Sequence, residues 1–306
     1  MTAIYIIAGT SKQAHWSCLK RHQEREDQFL LLEALLAEER QKHPAMSLKK
    51  LYRRLAPGFV GRDIFIAWCM ANGFETQLPR RFHATTQSDG PSYYPNLCHN
   101  LILIDINQLW VSDITYFKIG DVFFYIVFIM DVYSRKILGY HASDKMLAQA
   151  NCHALRMALR SRGIDHYQQR LIHQSDKGGQ YRSSVYTTIL DEHGIRPSMG
   201  NCVFDNAHME SLNGIMKNEY LKHRSISSGQ DLIRFLHQDV HLYNDERPHG
   251  SLDMMTPNEF ERYICNIPME QRARLPIYTD KSKKHNLLVL EPDDQQLKIN
   301  FPGFIL

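Results

Sequence analysis

The sequence has no C-x-x-C pair. Its six cysteines stand apart at Cys18, Cys69, Cys98, Cys152, Cys202 and Cys265. That spacing excludes a paired-cysteine zinc module and argues against a disulfide frame, so free thiols in a reducing cytosol are expected. His15, Cys18 and His22 lie close together, but no second cysteine pair completes a zinc ligand set. No apolar run reaches membrane-spanning length; the longest, Val122 to Met130, reads as a buried strand. Met1 to Gly9 is too short for the three-part layout of a secretory signal. Internal repeats and low-complexity tracts are missing. A strong excess of one charge is missing too, the formal net charge being +3 over 306 residues.

What is present is enough apolar material, 43% of residues, for two or three compact units. Basic residues crowd one region: Lys49, Lys50, Arg53, Arg54, Arg62, Arg80 and Arg81, opposed there by Asp63 and Glu75. The crowd reads either as a solvated helix face or as phosphate contacts on DNA.

The chain divides by pattern. Residues 1–45 read as a helical region: a short basic helix after Gly9, then a longer one through Phe29, Leu32, Leu35 and Leu36 that stops near Pro44. Residues 46–78 carry two short helices, Leu48 to Leu55 capped by Ser47 and Arg62 to Ala71 ended by Asn72-Gly73, around a turn at Pro57-Gly58. That pattern is helix-turn-helix-like and suits DNA binding. Residues 79–100, with Pro79, Pro91 and Pro95, read as an extended linker. Residues 101–265 alternate strands and helices. Three strands (Leu109 to Phe117, Val122 to Met130, Lys136 to His141) form an antiparallel meander. Helix and strand then alternate through Leu171 to Gln174 and Ile195 to Ser198, followed by helices from Asn206 and from Gln230. The result is a mixed five-stranded sheet with helices on both faces, an α/β class. Thr256-Pro257-Asn258-Glu259 is a capping box with proline at the first helical position. Residues 266–306 read as a polar tail with a small β unit near Leu287 to Leu290 and Leu297 to Phe301.

Three acids sit at element edges. Asp113 lies on a strand among apolar neighbours, where an unpaired carboxylate is costly unless it is protonated, paired or bound to metal. Asp176 directly follows the fourth strand and precedes Lys177-Gly178-Gly179-Gln180, a tight turn that lets DNA or metal approach the backbone. Glu210 lies one turn into a helix whose N-cap is Asp205 and whose Phe204 and Met209 form a hydrophobic staple. On that helix Met209, Leu212, Met216 and Tyr220 make the buried stripe. Glu210, Asn213 and Lys217 repeat its spacing one residue later, facing a groove. Three carboxylates brought together can hold two divalent metals, which cut and join phosphodiesters. All-oxygen donors favour Mg²⁺, two per site, with Mn²⁺ able to substitute. Asp131, His173 and His249 are given structural roles.

The motifs Trp110-Val111-Ser112-Asp113-Ile114-Thr115-Tyr116, Asp131 to Gly139, His173 to Tyr181, Gly200 to Ala207 and Tyr243 to His249 resemble those of DDE transposases with a retroviral-integrase-like core. Within that group they resemble the second-frame protein of IS-three-type bacterial insertion sequences. The resemblance covers nearly the whole of Ser47 to Phe260. It implies an RNase H-like core preceded by the helix-turn-helix-type region, with Asp113, Asp176 and Glu210 as both catalytic triad and metal ligands. It also implies that Lys217 contacts the transposon end. Lys177, Asn213 and the basic residues of the N-terminal region are the other DNA-contact candidates. Between Asp176 and Glu210 stand 33 residues, two fewer than is usual in the family. The shortfall falls in the loop before Gly200.

The activity implied is cutting at transposon ends followed by joining of the freed 3′-hydroxyl to DNA. The alternative is a DNA-binding regulatory partner of a longer fused transposase, inactive alone. Expected partners are double-stranded DNA (terminal inverted repeats and target), a second copy or higher oligomer on that DNA, and the upstream-frame protein or its fusion. The expected setting is the bacterial cytoplasm near the nucleoid, with no membrane.

Overall fold

Between Lys12 and Lys42 the sequence contains neither glycine nor proline, and the chain runs there as one uninterrupted 31-residue helix, α1 (Lys12–Lys42). The expected break between a short and a long helix does not occur. Ser11 caps it, its Oγ accepting from Ala14 N at 3.0 Å. Among the described residues, only the second half of α1 packs. Leu32 and Leu36 are buried against Leu51 of α2 (Leu48–Leu55) and Phe65 and Cys69 of α3 (Arg62–Ala71), which form a small helical core. Ser47 stands at the N-cap of α2, but its side chain makes no capping bond; its carbonyl accepts from Lys50 and Leu51 instead. The computed structural model describes residues 9–76, 92–200 and 207–277. Of the basic candidates, Arg80 and Arg81 lie outside the described residues. The Asp205 cap, the Phe204 staple and the proposed β unit at Leu287 to Phe301 likewise lie outside the described residues.

The main sheet follows from alternation. Along β2 (Leu109–Ile119), Leu109, Val111 and Phe117 pack on one face and Trp110 and Ile114 on the other, as period-two side chains must. β3 (Val122–Asp131) is covered on both faces, so Ile126 to Met130 are all buried and all apolar. β4 (Ile137–Ser143) completes the antiparallel meander, with a register shift at Ile129/Met130. After α4 (Ala148–Arg162) the chain crosses to β5 (Ile172–Ser175), parallel to β2, and after α5 (Ser184–Glu192) to β6 (Arg196–Met199), parallel to β5. The order β4-β3-β2-β5-β6 is the mixed five-stranded arrangement expected from the pattern.

Helices α4 and α5 cover one face through Ala154, Leu155, Ala158 and Ile189. The other face is covered by α6 (Ala207–Ile215), α7 (Gly229–Asp245) and α8 (Pro257–Cys265) through Met209, Leu212, Leu236, Val240 and Ile264. Gly139 of β4 lets α4 approach to contact. A Cβ there would stand 2.0 Å from the Ala154 carbonyl oxygen and 2.9 Å from Ala158 N.

Three details depart from the pattern. The helix after residue 206 does not stay regular: α6 widens into a π turn at Met216–Tyr220 and tightens into a 3₁₀ turn at Leu221–His223. The widened turn is where tertiary contacts converge, because Glu219 pairs with Arg247 and Tyr220 OH meets His43 Nδ1 at 3.0 Å. Second, Leu275–Pro276 (β7) pairs antiparallel with Ile102–Leu103 (β1), fastened by a Tyr133 OH bond to the Ala273 carbonyl and an ion pair between Arg272 and Asp105. Third, the end of the expected linker is tied down: Leu97 N donates to Ser198 Oγ at 2.8 Å, and Cys98 is buried beside Gln174.

Candidate functional site

β2 and β5 run parallel with Leu109 opposite Ile172, Trp110 opposite His173 and Val111 opposite Gln174. Continued two residues past the last of these pairs, the same register sets Asp113 level with Asp176 where β5 gives way to its turn. Adjacent strands stand about 4.8 Å apart, so the two carboxylates leave the sheet as neighbours. Helix α6 crosses the same place: Asn213 Nδ2 donates to Asp113 Oδ2 at 2.8 Å. One turn earlier on α6, Glu210 is exposed.

The charges feel one another. Burial first, then the Asp176 charge, then Glu210 push Asp113 up to about 7, while bonds from Ile114 N and Asn213 pull it down. Asp176 is also raised, by partial loss of solvent, against a 3.0 Å bond from Gly178 N that favours its charged form. Within charge reach of both acids lies the buried ring of Tyr181, its hydroxyl 2.9 Å from Ser112 Oγ. Its phenol is held far above its ordinary value by burial and by the charges of Asp176 and Asp113. Among the described residues, no group of three or more His, Cys, Asp or Glu side chains stands close enough to enclose a metal ion. What the fold brings together is Asp113 and its two acidic neighbours within charge reach.

The chemistry of this donor set suits a hard divalent cation. All three acids offer oxygen, and the half-buried Asp113 has an amide donor but, among the described residues, no cationic side chain bonded to it. Nearby anions raise its proton affinity, and a divalent cation relieves the same repulsion in place of a proton. Lys217 is held close: its pKa is lowered by burial and by Lys222 and raised by Asp113, and its ammonium lies 4.6 Å from the ring centroid of Tyr116.

The remaining candidates spread over other surfaces. Lys49 and Arg53 are exposed on α2. Arg62 is exposed but paired with Asp63 at 2.8 Å. Lys177 is half-buried in the turn after Asp176. Lys50 and Arg54 face inward. Burial, aided by Arg247, pushes Lys50 down to about 8, and Arg54 bridges Glu39 of α1 to Glu246 after α7. Asn213 is buried and grips Asp113.

Sequence reasoning missed several supporting residues. The sequence marks Gly178 only as part of a tight turn, yet a Cβ there would meet Asp176 Oδ1 and Gln180 Oε1 at 2.9 Å each. Arg135, at φ 61°, donates to His208 Nδ1 at the start of α6, which requires neutral His208; burial and that guanidinium hold it near 3. The structural reading of Asp131 fits its contacts. Buried at the end of β3, it accepts from Asn107, Tyr133 and Ser134 N and pairs with Arg162. His173 bonds the Tyr186 hydroxyl at 2.6 Å, and His249 lies buried against Arg247 and the ring of Tyr243.

A family model described as "Integrase core domain" matches residues 106–202, and a second of the same description matches residues 196–257. The "Insertion element IS600 uncharacterized 31 kDa protein" of Shigella sonnei is 31% identical over 269 residues, covering 84% of this chain and 97% of the relative. "Transposase InsF for insertion sequence IS3A" of Escherichia coli K12 is 33% identical over 158 residues, 51% of this chain and 54% of that protein; the match spans about half of each. Among solved structures, the HTLV-2 integrase catalytic core domain in complex with magnesium is 17% identical with a TM-score of 0.40, covering 51% of this chain and 95% of that one.

Proposed function

From the premise that the chain belongs to the family of IS3-type insertion-sequence transposases with an integrase core, we propose that it cuts transposon ends and joins the freed 3′-hydroxyl to target DNA. The observation that carries this reading is the register of β2 on β5, which levels Asp113 with Asp176, together with the Asn213 bond that sets Glu210's helix over the pair.

In the first step a water attacks the phosphodiester at the element's end, and the departing oxygen becomes a 3′-hydroxyl. In the second, that hydroxyl attacks a target phosphodiester and a new strand junction forms. Neither step needs a covalent enzyme intermediate. Asp113, Asp176 and Glu210 would hold two Mg²⁺ ions, with Mn²⁺ an effective substitute; when bound, these supply the Lewis acidity that activates the nucleophile and steadies the leaving oxygen. Asn213 orients Asp113 and favours its ionised form. Gly178 N does the same for Asp176. Lys217 and Lys177 offer positive charge to the phosphates, and the exposed Lys49 and Arg53 extend that field over α2, where the helix-turn-helix-like pair would meet the terminal repeat.

Joining two ends in one complex calls for at least a dimer on DNA. No described helix is long and apolar enough to cross a membrane. The reading is tested with plasmid or oligonucleotide ends and Mg²⁺, scoring joined as well as nicked products. Asp113→Asn and Glu210→Gln should each abolish joining while DNA binding survives. Normal joining by either variant overturns the site. A wild-type chain that binds ends but neither nicks nor joins them, until a longer fused form is added, supports the regulatory alternative instead.

A further inference from the structure

Among the described residues, β2 past Val111 is paired on one side only: its bonds to β3 continue to Ile119, while those to β5 have ended. The outer half of the β2–β3 hairpin therefore carries an open edge that leads away from Asp113. Two aromatic rings lie on it with much of their surface in solvent, Tyr116 at 52% and Phe123 at 47% exposure. They meet edge to face, centroids 5.7 Å apart at 78°. Each ring has its own ammonium. Lys217 lies 4.6 Å from the Tyr116 centroid, and Lys118 lies 5.8 Å from that of Phe123. The nearby carboxylate, Asp121, is engaged by Lys118 at 3.4 Å.

Cross-strand aromatic pairs do stabilise hairpins, but that role is filled as well with the rings covered. Exposed rings flanked by cations match a different partner. An unpaired nucleotide presents a flat base to a ring and a phosphate to an ammonium, whereas an apolar protein surface would have to desolvate both lysines. Tyr116 is three residues from Asp113 on β2, roughly 10 Å at the strand rise and on the opposite face, and Lys217 links the two places across the open edge, lying on the Tyr116 ring within the field of Asp113.

We propose that the Tyr116–Phe123 hairpin tip, with Lys118 and Lys217, is a stacking platform for unpaired nucleotides flanking the phosphate to be cut. It would hold the end frayed and keep the scissile bond at the acids. The inference rests on the reading of Asp113 as part of the strand-transfer site, but its test does not require catalysis.

The full chain is titrated in EDTA with a fluorescent blunt duplex and with the same duplex carrying four unpaired thymidines at its 3′ end. Wild type should prefer the tailed duplex by about tenfold, the size expected for stacking one base. Tyr116→Ala with Phe123→Ala should erase the preference and leave blunt-duplex affinity unchanged. Tyr116→Phe should keep the preference, and Lys118→Gln should weaken both duplexes alike with a shallower salt dependence. Independently of any variant, a 5-iodouracil in the tail should photocrosslink to Tyr116 or Phe123. A wild type with no preference, a double-alanine protein that keeps it, or a crosslink confined to other residues overturns the platform. A wild type that prefers tails yet never nicks with Mg²⁺ leaves the platform standing and removes the transferase reading.

Discussion

Asn213 Nδ2 and Asp113 Oδ2 are 2.8 Å apart, and this bond joins the helix bearing Glu210 to the strand bearing the first acid. It also sets the proton affinity of Asp113, since a donor to a carboxylate favours the ionised form. Asn213→Ala removes that donor, so Asp113 becomes harder to ionise. A hydrogen bond to a charged group is worth about 1.5–3 kcal/mol, which corresponds to a shift of at least one pH unit. The rising limb of the pH–rate profile for nicking should move upward by about one unit, and extra Mg²⁺ should recover much of the lost rate at pH 7. An unmoved limb would show that the amide does not act through Asp113.

Asp113 makes the folded protein less stable as pH rises. Its value of about 7 lies above the 3.8 of a free aspartate, so the folded state keeps a proton that the unfolded chain has released. The stability associated with that proton is fully present below about 3.8 and is lost as pH climbs through 7. Asp113→Asn should therefore match wild type near pH 4 and exceed it at pH 8, by on the order of 2–4 kcal/mol. Saturating Mg²⁺ should close the gap at pH 8 by stabilising wild type alone. Thermal melts at both pH values, with and without the cation, measure all of this; a variant less stable than wild type at pH 8 contradicts it.

The acids and the strands around them could be read from the sequence because their signals are local. Alternation placed Asp113 on the face of Leu109 and Val111, and the all-apolar run 126–130 marked β3 as central. Long-range events left no such mark. Nothing in Met216 to Tyr220 announces a π turn, since its cause lies in Arg247 and His43, distant in sequence. Likewise, Lys50 and Arg54 have the composition of a basic helix face. Their inward turn depends on Glu39, Glu246 and Glu219, which a local window does not contain. The pairing of Leu275 with Leu103 is two residues long and below any periodic signal.

Gly178→Ala tests how tightly the turn after β5 holds Asp176. The backbone there, at φ −57°, accepts any residue, so the added methyl acts by contact alone. It would stand 2.9 Å from Asp176 Oδ1 and from Gln180 Oε1, and one of them must move. On the proposed role of Asp176, displacing it should lower nicking and joining by roughly 10–100-fold, the cost of misplacing such a group by about an ångström. The melting temperature should change by only a few degrees, because the turn lies at the surface. Full activity would mean that Gln180 yields and Asp176 stays.

Arg224 bridges the N-terminal helices to the core. It donates to the Gln41 and Lys42 carbonyls at 2.8 and 2.9 Å, where α1 ends, and pairs with Asp239 of α7 at 2.6 Å. Asp239 is fully buried, and burial pushes it up to about 6 even with that arginine beside it. Arg224→Ala strands the carboxylate. The expected loss is about 3–5 kcal/mol near pH 8, the range for a buried charge deprived of its partner. Protonation is the escape route, so the loss should shrink toward pH 5, where the folded state takes up a proton and no longer buries a charge. Asp239→Asn should restore much of the stability of Arg224→Ala at pH 8. Hydrogen exchange should still find the last turn of α1 less protected in that double variant, since the two carbonyl bonds stay lost. A deficit equal at pH 5 and pH 8 would place the role of Arg224 in those carbonyl bonds alone.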